Sequence, residues 1–350
     1  MKIFSIVGAR PQFIKLAPLS LGLSGLHEEI IVHTGQHYDY AMSEKIFSDL
    51  GMREPDIHLE INSGSPTSQI TQMLLKLEAE MVKHKPALVI VFGDTNSTFA
   101  GAMIAAKLNI PIVHIEAGLR SYNRGMPEEI NRIVTDHVSK YLFAPTQTAV
   151  KILKKEGLGK STFFTGDIMV DTMKNNLGIA LQKSHVIAEL KLDNVKYNLL
   201  TLHRNYNVDD KKILEHLLNQ LGELGEKIIF PVHPRTRKMM ADTYSVPENI
   251  QMTDPQGYLD FIALEHSAKR IITDSGGIQK EAYILKKPCI TLRTETEWVE
   301  TVKEKWNLLI NPTEKKIASK IASFNPPKKQ KEVFGKNVTM KMIKIINDIN

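Results

Sequence analysis

The segment Pro111-Ile-Val-His-Ile-Glu-Ala-Gly-Leu-Arg-Ser-Tyr-Asn-Arg-Gly-Met-Pro-Glu-Glu-Ile-Asn-Arg132 gathers Glu116, Arg120, Glu128 and Glu129 around one loop. It begins as an apolar run and ends in a helix opened by Pro127. Upstream, the apolar run Val89–Phe92 leads to Asp94 through a single glycine. Carboxylates at the end of a strand, facing others at the start of the next helix, suit proton transfer on a ligand held between them. Each acid also has a structural use to be weighed. Asp94 would cap the helix that starts at Ser97. Glu128 and Glu129 would complement a helix dipole. Glu116 has no such use, because Ala117 and Gly118 follow it. A carboxylate ending an apolar run costs free energy unless it is paired or employed.

Basic and small residues recur at equivalent places. Gly8-Ala-Arg-Pro-Gln-Phe-Ile-Lys15 follows the first apolar run, and Pro11 suits a first helical turn. Arg10 and Lys15 then either reach toward a ligand or sit solvated on a turn. The segment lacks the Gly-x-Gly-x-x-Gly pattern of dinucleotide binding, so no nicotinamide or flavin is expected. Thr273-Asp-Ser-Gly-Gly-Ile-Gln-Lys-Glu281 is the clearest anion-binding candidate. Ser275 is placed to cap, while Gly276 and Gly277 admit a phosphate to a helix N-terminus. Glu281 is then placed to meet ribose hydroxyls; the plain alternative is a cap and a tight turn. His203-Arg204 and His233-Pro-Arg235 end two further apolar runs, and Gln36-His37 is a weaker case. The 12 histidines are scattered and the one cysteine, Cys289, lies in an apolar run, so neither a metal site nor a disulfide is expected.

The elements that must position these residues alternate. Strands are predicted at Lys2–Val7, Glu29–Thr34, Ala87–Phe92, Pro111–Glu116 and Tyr141–Ala144. Helices are predicted at Gln12–Leu21, Thr67–Lys83, Ser97–Leu108 and Glu128–Ser139. The second half repeats the scheme, with strands at Tyr197–Leu202, Lys227–Pro231, Ile250–Thr253, Arg270–Thr273 and Cys289–Leu292. Helices there are predicted at Asp209–Gly225, Tyr258–Ala268, Gly276–Leu285 and Lys315–Ser323, with one more at Val333–Ile349. Continuous apolar strands separated by helices indicate parallel sheets covered on both faces. Two doubly wound domains are therefore expected. They span residues 1–168 and 169–332, with 333–350 returning to the first, and the polar Thr172–Val195 stretch is the handover. At 350 residues, 42% hydrophobic and 24% charged, the chain has ordinary globular proportions. Its N-terminus reads as a first strand and not as a signal peptide, and no run is long enough to span a membrane. A cytoplasmic location follows. The net charge of +6 lacks the arginine-rich or aromatic interleaving of nucleic-acid binders, and an anionic small ligand suits it equally.

The motifs Gly-Ala-Arg-Pro-Gln-Phe-Ile-Lys, Gly-Asp-Thr-Asn-Ser, His-Ile-Glu-Ala-Gly-Leu-Arg-Ser, Pro-Glu-Glu-Ile-Asn-Arg, Thr-Leu-His-Arg, Pro-Val-His-Pro and Thr-Asp-Ser-Gly-Gly-Ile-Gln-Lys-Glu-Ala occur in that order across the chain. Together they resemble the non-hydrolysing UDP-N-acetylglucosamine 2-epimerase family. The resemblance implies a GT-B fold, with two Rossmann-like domains facing across a cleft. It implies a homodimer that interconverts UDP-GlcNAc and UDP-ManNAc without a cofactor, by eliminating UDP to a 2-acetamidoglucal and adding it back. By motif match, Asp94, Glu116, Glu128 and His203 fall on catalytic positions. Arg10, Ser275, Gly276, Gly277 and Glu281 fall on UDP-contacting positions. Lys15, His233 and Arg235 complete the substrate-binding set.

The chain departs from common members at Gln12, where they carry Glu, in a shorter loop at Ser121–Met126, and at Glu297-Trp-Val-Glu300, where they have Glu-Arg-Pro-Glu. These departures resemble the branch acting on UDP-2,3-diacetamido-2,3-dideoxy-glucuronate, whose sugar carboxylate would suit Arg124. Tyr-Asp-Tyr after Gln36-His37 departs from the motif by which bacterial members bind an activating substrate molecule. A glycosyltransferase of the same fold and a UDP-sugar sensor are the more distant readings.

Overall fold

The strands are apolar runs of two to six residues, and what covers them decides the layers. The computed structural model describes residues 1–35, 47, 50–61, 64–240 and 246–349, the side chain of residue 235 excepted. The chain divides into two compact units, Met1–Thr172 with Glu332–Asn350, and Met173–Lys331.

The first unit has strands β1 (Lys2–Val7), β2 (Glu28–His33), β3 (Ile57–His58), β4 (Leu88–Phe92), β5 (Ile112–Ile115), β6 (Tyr141–Ala144) and β7 (Thr162–Phe164). They form one parallel sheet ordered β3-β2-β1-β4-β5-β6-β7. Its helices are α1 (Arg10–Leu23), α2 (Pro66–His84), α3 (Asn96–Lys107), α4 (Pro127–Val138) and α5 (Gln147–Lys155). Helices on the sheet leave no side of its centre wet. Phe4, Ile6, Val89, Val91 and Phe92 are fully buried, each contributing about 1.5–3 kcal/mol of apolar burial. Local chemistry sets the helix starts: Ser65, Thr95 and Thr146 each accept a backbone N–H three residues on, opening α2, α3 and α5.

The second unit follows through α6 (Met169–Lys183), whose first turn belongs to the first unit. It has strands β8 (Asn198–Thr201), β9 (Ile228–Pro231), β10 (Ile250–Thr253), β11 (Arg270–Thr273), β12 (Cys289–Thr291) and β13 (Asn307–Leu309). They make a parallel sheet ordered β10-β9-β8-β11-β12-β13. Its main helices are α7 (Lys211–Gly222), α8 (Pro234–Met240), α9 (Tyr258–Ser267), α10 (Gly276–Ile284) and α11 (Ile317–Ser323). The polar stretch after α6 has a packing role: Val186 and Leu192 are buried in the cluster around Tyr197 and Leu199.

The chain then returns to the first unit, where α12 (Val338–Asn347) packs on α1. The Ile343 side chain fills the space beside Gly22 that a Cβ would take, and the Thr339 N–H donates to Asp171 at 2.7 Å. Residues 332–337 carry no helix, so this last helix starts five residues later than its pattern predicts.

Both sheets reverse their strand order once, between β1 and β4 and between β8 and β11. At such a switch point the loops leave in opposite directions and open a crevice at the carboxyl ends of the strands. The β1 loop carries Arg10, the β4 loop Asp94, the β8 loop His203 and the β11 loop Ser275. Among the described residues, no helix is long and apolar enough to cross a membrane.

Candidate active site

The loop after β1 is locked by Gln12. Its side-chain oxygen accepts the N–H groups of Gly8 and Ala9 at 2.8 and 3.1 Å. Its nitrogen donates to the Phe92 carbonyl at 2.9 Å and to Thr98 at 3.0 Å. An amide both accepts and donates, so one buried side chain ties the β1 exit to the β4 exit. Half-buried Arg10 opens α1, and Lys15 lies one turn further on, almost fully buried.

Lys15 pairs with Glu116. Glu116 stands just past β5 with φ +75°, a left-handed conformation uncommon for a residue with a side chain. Its N–H and that of Ala117 both donate to the Phe143 carbonyl of β6, which holds the bend. Strain of this kind persists where the surroundings over-determine it, and it concentrates at functional sites. Gly93, with φ +65°, makes room for the pair: a Cβ there would stand 3.3 Å from the Lys15 Nζ.

Asp94 follows Gly93 and ion-pairs with Arg132 of α4; Thr95 takes the helix-capping position that the sequence suggests for Asp94. Arg132 also binds Glu129 at 2.6 Å. Glu129 is buried and accepts the Ser121 N–H at 2.8 Å, the Ser121 hydroxyl at 2.9 Å and the Tyr122 N–H at 2.9 Å. Burial pushes its carboxyl up, but these donors and Arg132 outweigh burial and hold it below the usual range. Glu129 therefore shapes the 121–126 loop. Its neighbour Glu128 is half-buried and makes no hydrogen bond or ion pair to another described residue. The two adjacent acids thus differ in kind: Glu129 is consumed by structure, and Glu128 has no partner among the described residues.

In the second unit the β8 loop is organised by Asp274, fully buried at the end of β11. It accepts the backbone N–H of His203 at 3.0 Å, that of Arg204 at 2.9 Å and the Asn207 amide at 3.1 Å. The His203 Nδ1 also lies 3.1 Å from its carboxylate. His233 is exposed after β9, its ring 6.2 Å from that of His203. Arg235 lies in the first turn of α8, and its side chain is outside the described residues.

Ser275 occupies the N-cap of α10, but its hydroxyl makes no capping bond, contrary to the expectation from sequence. The Thr273 hydroxyl instead accepts the Ser275 N–H at 2.9 Å, which leaves the serine hydroxyl and the first helical N–H groups for an anion. Gly276 is buried against Glu297, whose partner Arg293 is 3.3 Å away, while Gly277 is exposed. Glu281 stands half-buried in the same helix. The departing Trp298 is buried beneath the ammonium of Lys280, 4.3 Å from its ring centre.

Arg10, Lys15, Asp94, Glu116 and Glu128 thus gather at one switch point, and His203, Ser275, Gly276 and Gly277 at the other. Asp274, Arg132, His114 and Asp136 are the organising residues that motif reading left unassigned. A buried aspartate directly after a strand, and a histidine inside an apolar strand, were the signals for two of them. Gln36-His37 lies outside the described residues. Among those described, no group of three or more His, Cys, Asp or Glu residues could hold a metal ion. Cys289 is a buried free thiol, pushed up to about 12 by burial.

Two parallel, doubly wound units with polar clusters at their switch points constitute an α/β fold of the GT-B-like kind. Known proteins narrow this class. A profile of UDP-N-acetylglucosamine 2-epimerase matches residues 24–347. A "UDP-N-acetylglucosamine 2-epimerase homolog" of Methanococcus maripaludis is 49% identical over 358 residues, with all of both chains covered. The UDP-2,3-diacetamido-2,3-dideoxy-D-glucuronate 2-epimerase of Pseudomonas aeruginosa is 43% identical, over 89% of this chain and 88% of that one. The crystal structure of the Methanocaldococcus jannaschii UDP-GlcNAc 2-epimerase, in complex with UDP-GlcNAc and UDP, matches with a TM-score of 0.90 and 39% identity, over 99% of this chain and 100% of that one. The chain belongs to the UDP-N-acetylglucosamine 2-epimerase family and is an isomerase.

Proposed function

We propose that the enzyme inverts C2 of UDP-N-acetylglucosamine to give UDP-N-acetylmannosamine. The C1–O bond to UDP breaks as C2 loses its proton, and a 2-acetamidoglucal forms. UDP then re-adds to C1 while a proton returns to the other face of C2. Electrons balance within the substrate, so no external oxidant or reductant enters. The observation that carries this reading is Glu116, held in a left-handed bend beside Lys15, with Asp94 at the exit of the neighbouring strand. Carboxylates fixed in this way suit proton transfer and the positive character that develops on the sugar as UDP departs. Glu128 has a free carboxylate for the same task. Arg10 and the N-terminus of α10, with Ser275, Gly276 and Gly277, suit the diphosphate. Glu281 suits the ribose, and His203, with His233 and Arg235 nearby in sequence motifs of the same kind, suits the departing UDP.

A second reading is the same inversion on UDP-2,3-diacetamido-2,3-dideoxy-glucuronate. The Pseudomonas relative favours it, as does Trp298-Val299 in place of the common Arg-Pro. Either reaction serves a cytoplasmic homodimer that supplies an amino sugar for polysaccharide synthesis. Incubation with each substrate in D2O tests both readings. Deuterium at C2 of the recovered UDP-sugar is expected, and its rate with the two substrates assigns the branch. No exchange with either would overturn epimerisation.

A further inference from the structure

His114 is fully buried in β5, beside Val91 of β4, and both of its ring nitrogens face oxygen. Nδ1 lies 2.7 Å from Asp136 Oδ1, and Nε2 lies 2.7 Å from the carbonyl oxygen of Gly93. A carbonyl can only accept, so Nε2 donates. Asp136 already takes Arg120 Nη1 at 2.7 Å and the Gly118 N–H at 3.1 Å on its other oxygen. Burial pushes its carboxyl up, but the charges and hydrogen bonds of His114 and Arg120 outweigh burial and hold it below its ordinary range, so it is ionised. Nδ1 faces that carboxylate, so both ring nitrogens of His114 are tied. Glu156 binds Arg120 at 2.6 Å and completes a network of four side chains. A polar network whose members are paired in this way rigidifies the segments it joins.

What the network joins is more informative than the network itself. One end holds the carbonyl of Gly93, the residue before Asp94. The other end holds the amide of Gly118, two residues after Glu116. Both segments are bends with positive φ, at +65° for Gly93, +75° for Glu116 and +83° for Gly118. Beyond the sheet, the direct backbone tie at this point is Gly93 N–H to Ile115 at 2.9 Å. We propose that His114, tied at one ring nitrogen to Asp136 and at the other to Gly93, is a positioning residue that fixes the spacing of the Asp94 and Glu116 carboxylates. The role rests on the proposed epimerisation, in which two acids must meet one sugar carbon. His114 itself touches no substrate.

Two variants cut one tie each. In His114→Asn the amide nitrogen replaces Nδ1, keeping Asp136 and releasing Gly93. In His114→Gln it replaces Nε2, keeping Gly93 and releasing Asp136. Each should lower kcat by about 100-fold, the order expected when a reacting group is misplaced by an ångström. KM and UDP affinity by calorimetry should stay near wild type. Wild-type kcat in both variants, or a loss of UDP affinity in step with kcat, would overturn the proposal. A direct readout covers variants that fail to fold and does not depend on turnover. Histidine 15N NMR of the wild-type protein should show the His114 Nε2 protonated and hydrogen-bonded to the Gly93 carbonyl, and a bare Nε2 would overturn the proposal. If the wild type exchanges no deuterium, the functional reading fails, and the NMR result still decides the state of His114.

Discussion

Lys15 and Glu116 form an ion pair whose side chains are only 9% and 12% exposed. The attraction between them offsets a desolvation cost of several kcal/mol per ion. Removing one partner leaves the other charge buried. Lys15→Met should therefore destabilise the fold by roughly 3 kcal/mol, and the double variant Lys15→Met/Glu116→Gln should recover most of that loss. Urea melts of the two single variants and the double variant check this. Strict additivity would show that the pair is not coupled.

Glu116→Gln keeps the size of the side chain and removes its basicity. Turnover should fall by about 100-fold or more, the usual contribution of a positioned acid or base. UDP binding should persist, because the diphosphate residues are untouched. Solvent deuterium exchange and UDP calorimetry separate the two effects. Retained exchange would remove Glu116 from the proton-transfer steps.

Gln12→Glu tests the lock between β1 and β4. The new carboxyl would still accept from Gly8 and Ala9, but toward the Phe92 carbonyl it needs a proton to donate. Thr98 already spends its hydroxyl on that carbonyl at 2.6 Å. Burial and the facing carbonyl would raise the folded-state pKa of the new acid above its unfolded value near 4.3. A raised pKa gives stability that is full below the unfolded value and is lost as pH rises through the folded one. At neutral pH the variant should be about 1–3 kcal/mol less stable than wild type, and the gap should narrow toward pH 4. A gap independent of pH would show that the site rearranges.

Much of this was legible in the chain because buried parallel strands write themselves as apolar runs. The runs at residues 2–7 and 270–273 predict β1 and β11 to the residue. Strands β3, β7 and β13, of two or three residues, are too short for any periodicity to register. The site residues were legible as types at strand ends. Their division of labour was not, because it depends on contacts far apart in sequence. Glu128 and Glu129 are indistinguishable as neighbours in a motif, and only the turn of α4 aims one at the Ser121–Tyr122 amides. Asp274 stands inside a quoted motif, yet its partners His203 and Arg204 lie about 70 residues earlier.

Gly276→Ala tests whether the N-terminus of α10 takes the diphosphate. A Cβ there would overlap Glu297 Oε1 and stand 3.8 Å from Arg293 Nη1. Glu297 is the far end of a flexible side chain, so the fold should survive while the Arg293–Glu297 pair shifts beside the first turn. UDP affinity should fall about tenfold, equivalent to about 1.4 kcal/mol. Calorimetry at unchanged melting temperature reads it. Undiminished affinity would place the diphosphate elsewhere.

Asp274 should give the second unit an acid-sensitive loop. Burial raises its carboxyl, but His203, the Arg204 amide and Asn207 outweigh burial and hold it below its ordinary 3.8. A depressed pKa contributes stability that is complete above the unfolded value and is lost as pH falls through the folded one. The lost window therefore lies below 3.8. Asp274→Asn keeps the shape, lacks this charge and turns a donor toward the His203 and Arg204 amides. It should be less stable than wild type at neutral pH by about 2 kcal/mol. As pH falls below about 4, the wild type should lose its advantage and the two urea midpoints should converge. A separation that stays constant into acid would mean that the Asp274 charge contributes nothing, and that His203 is positioned by packing alone.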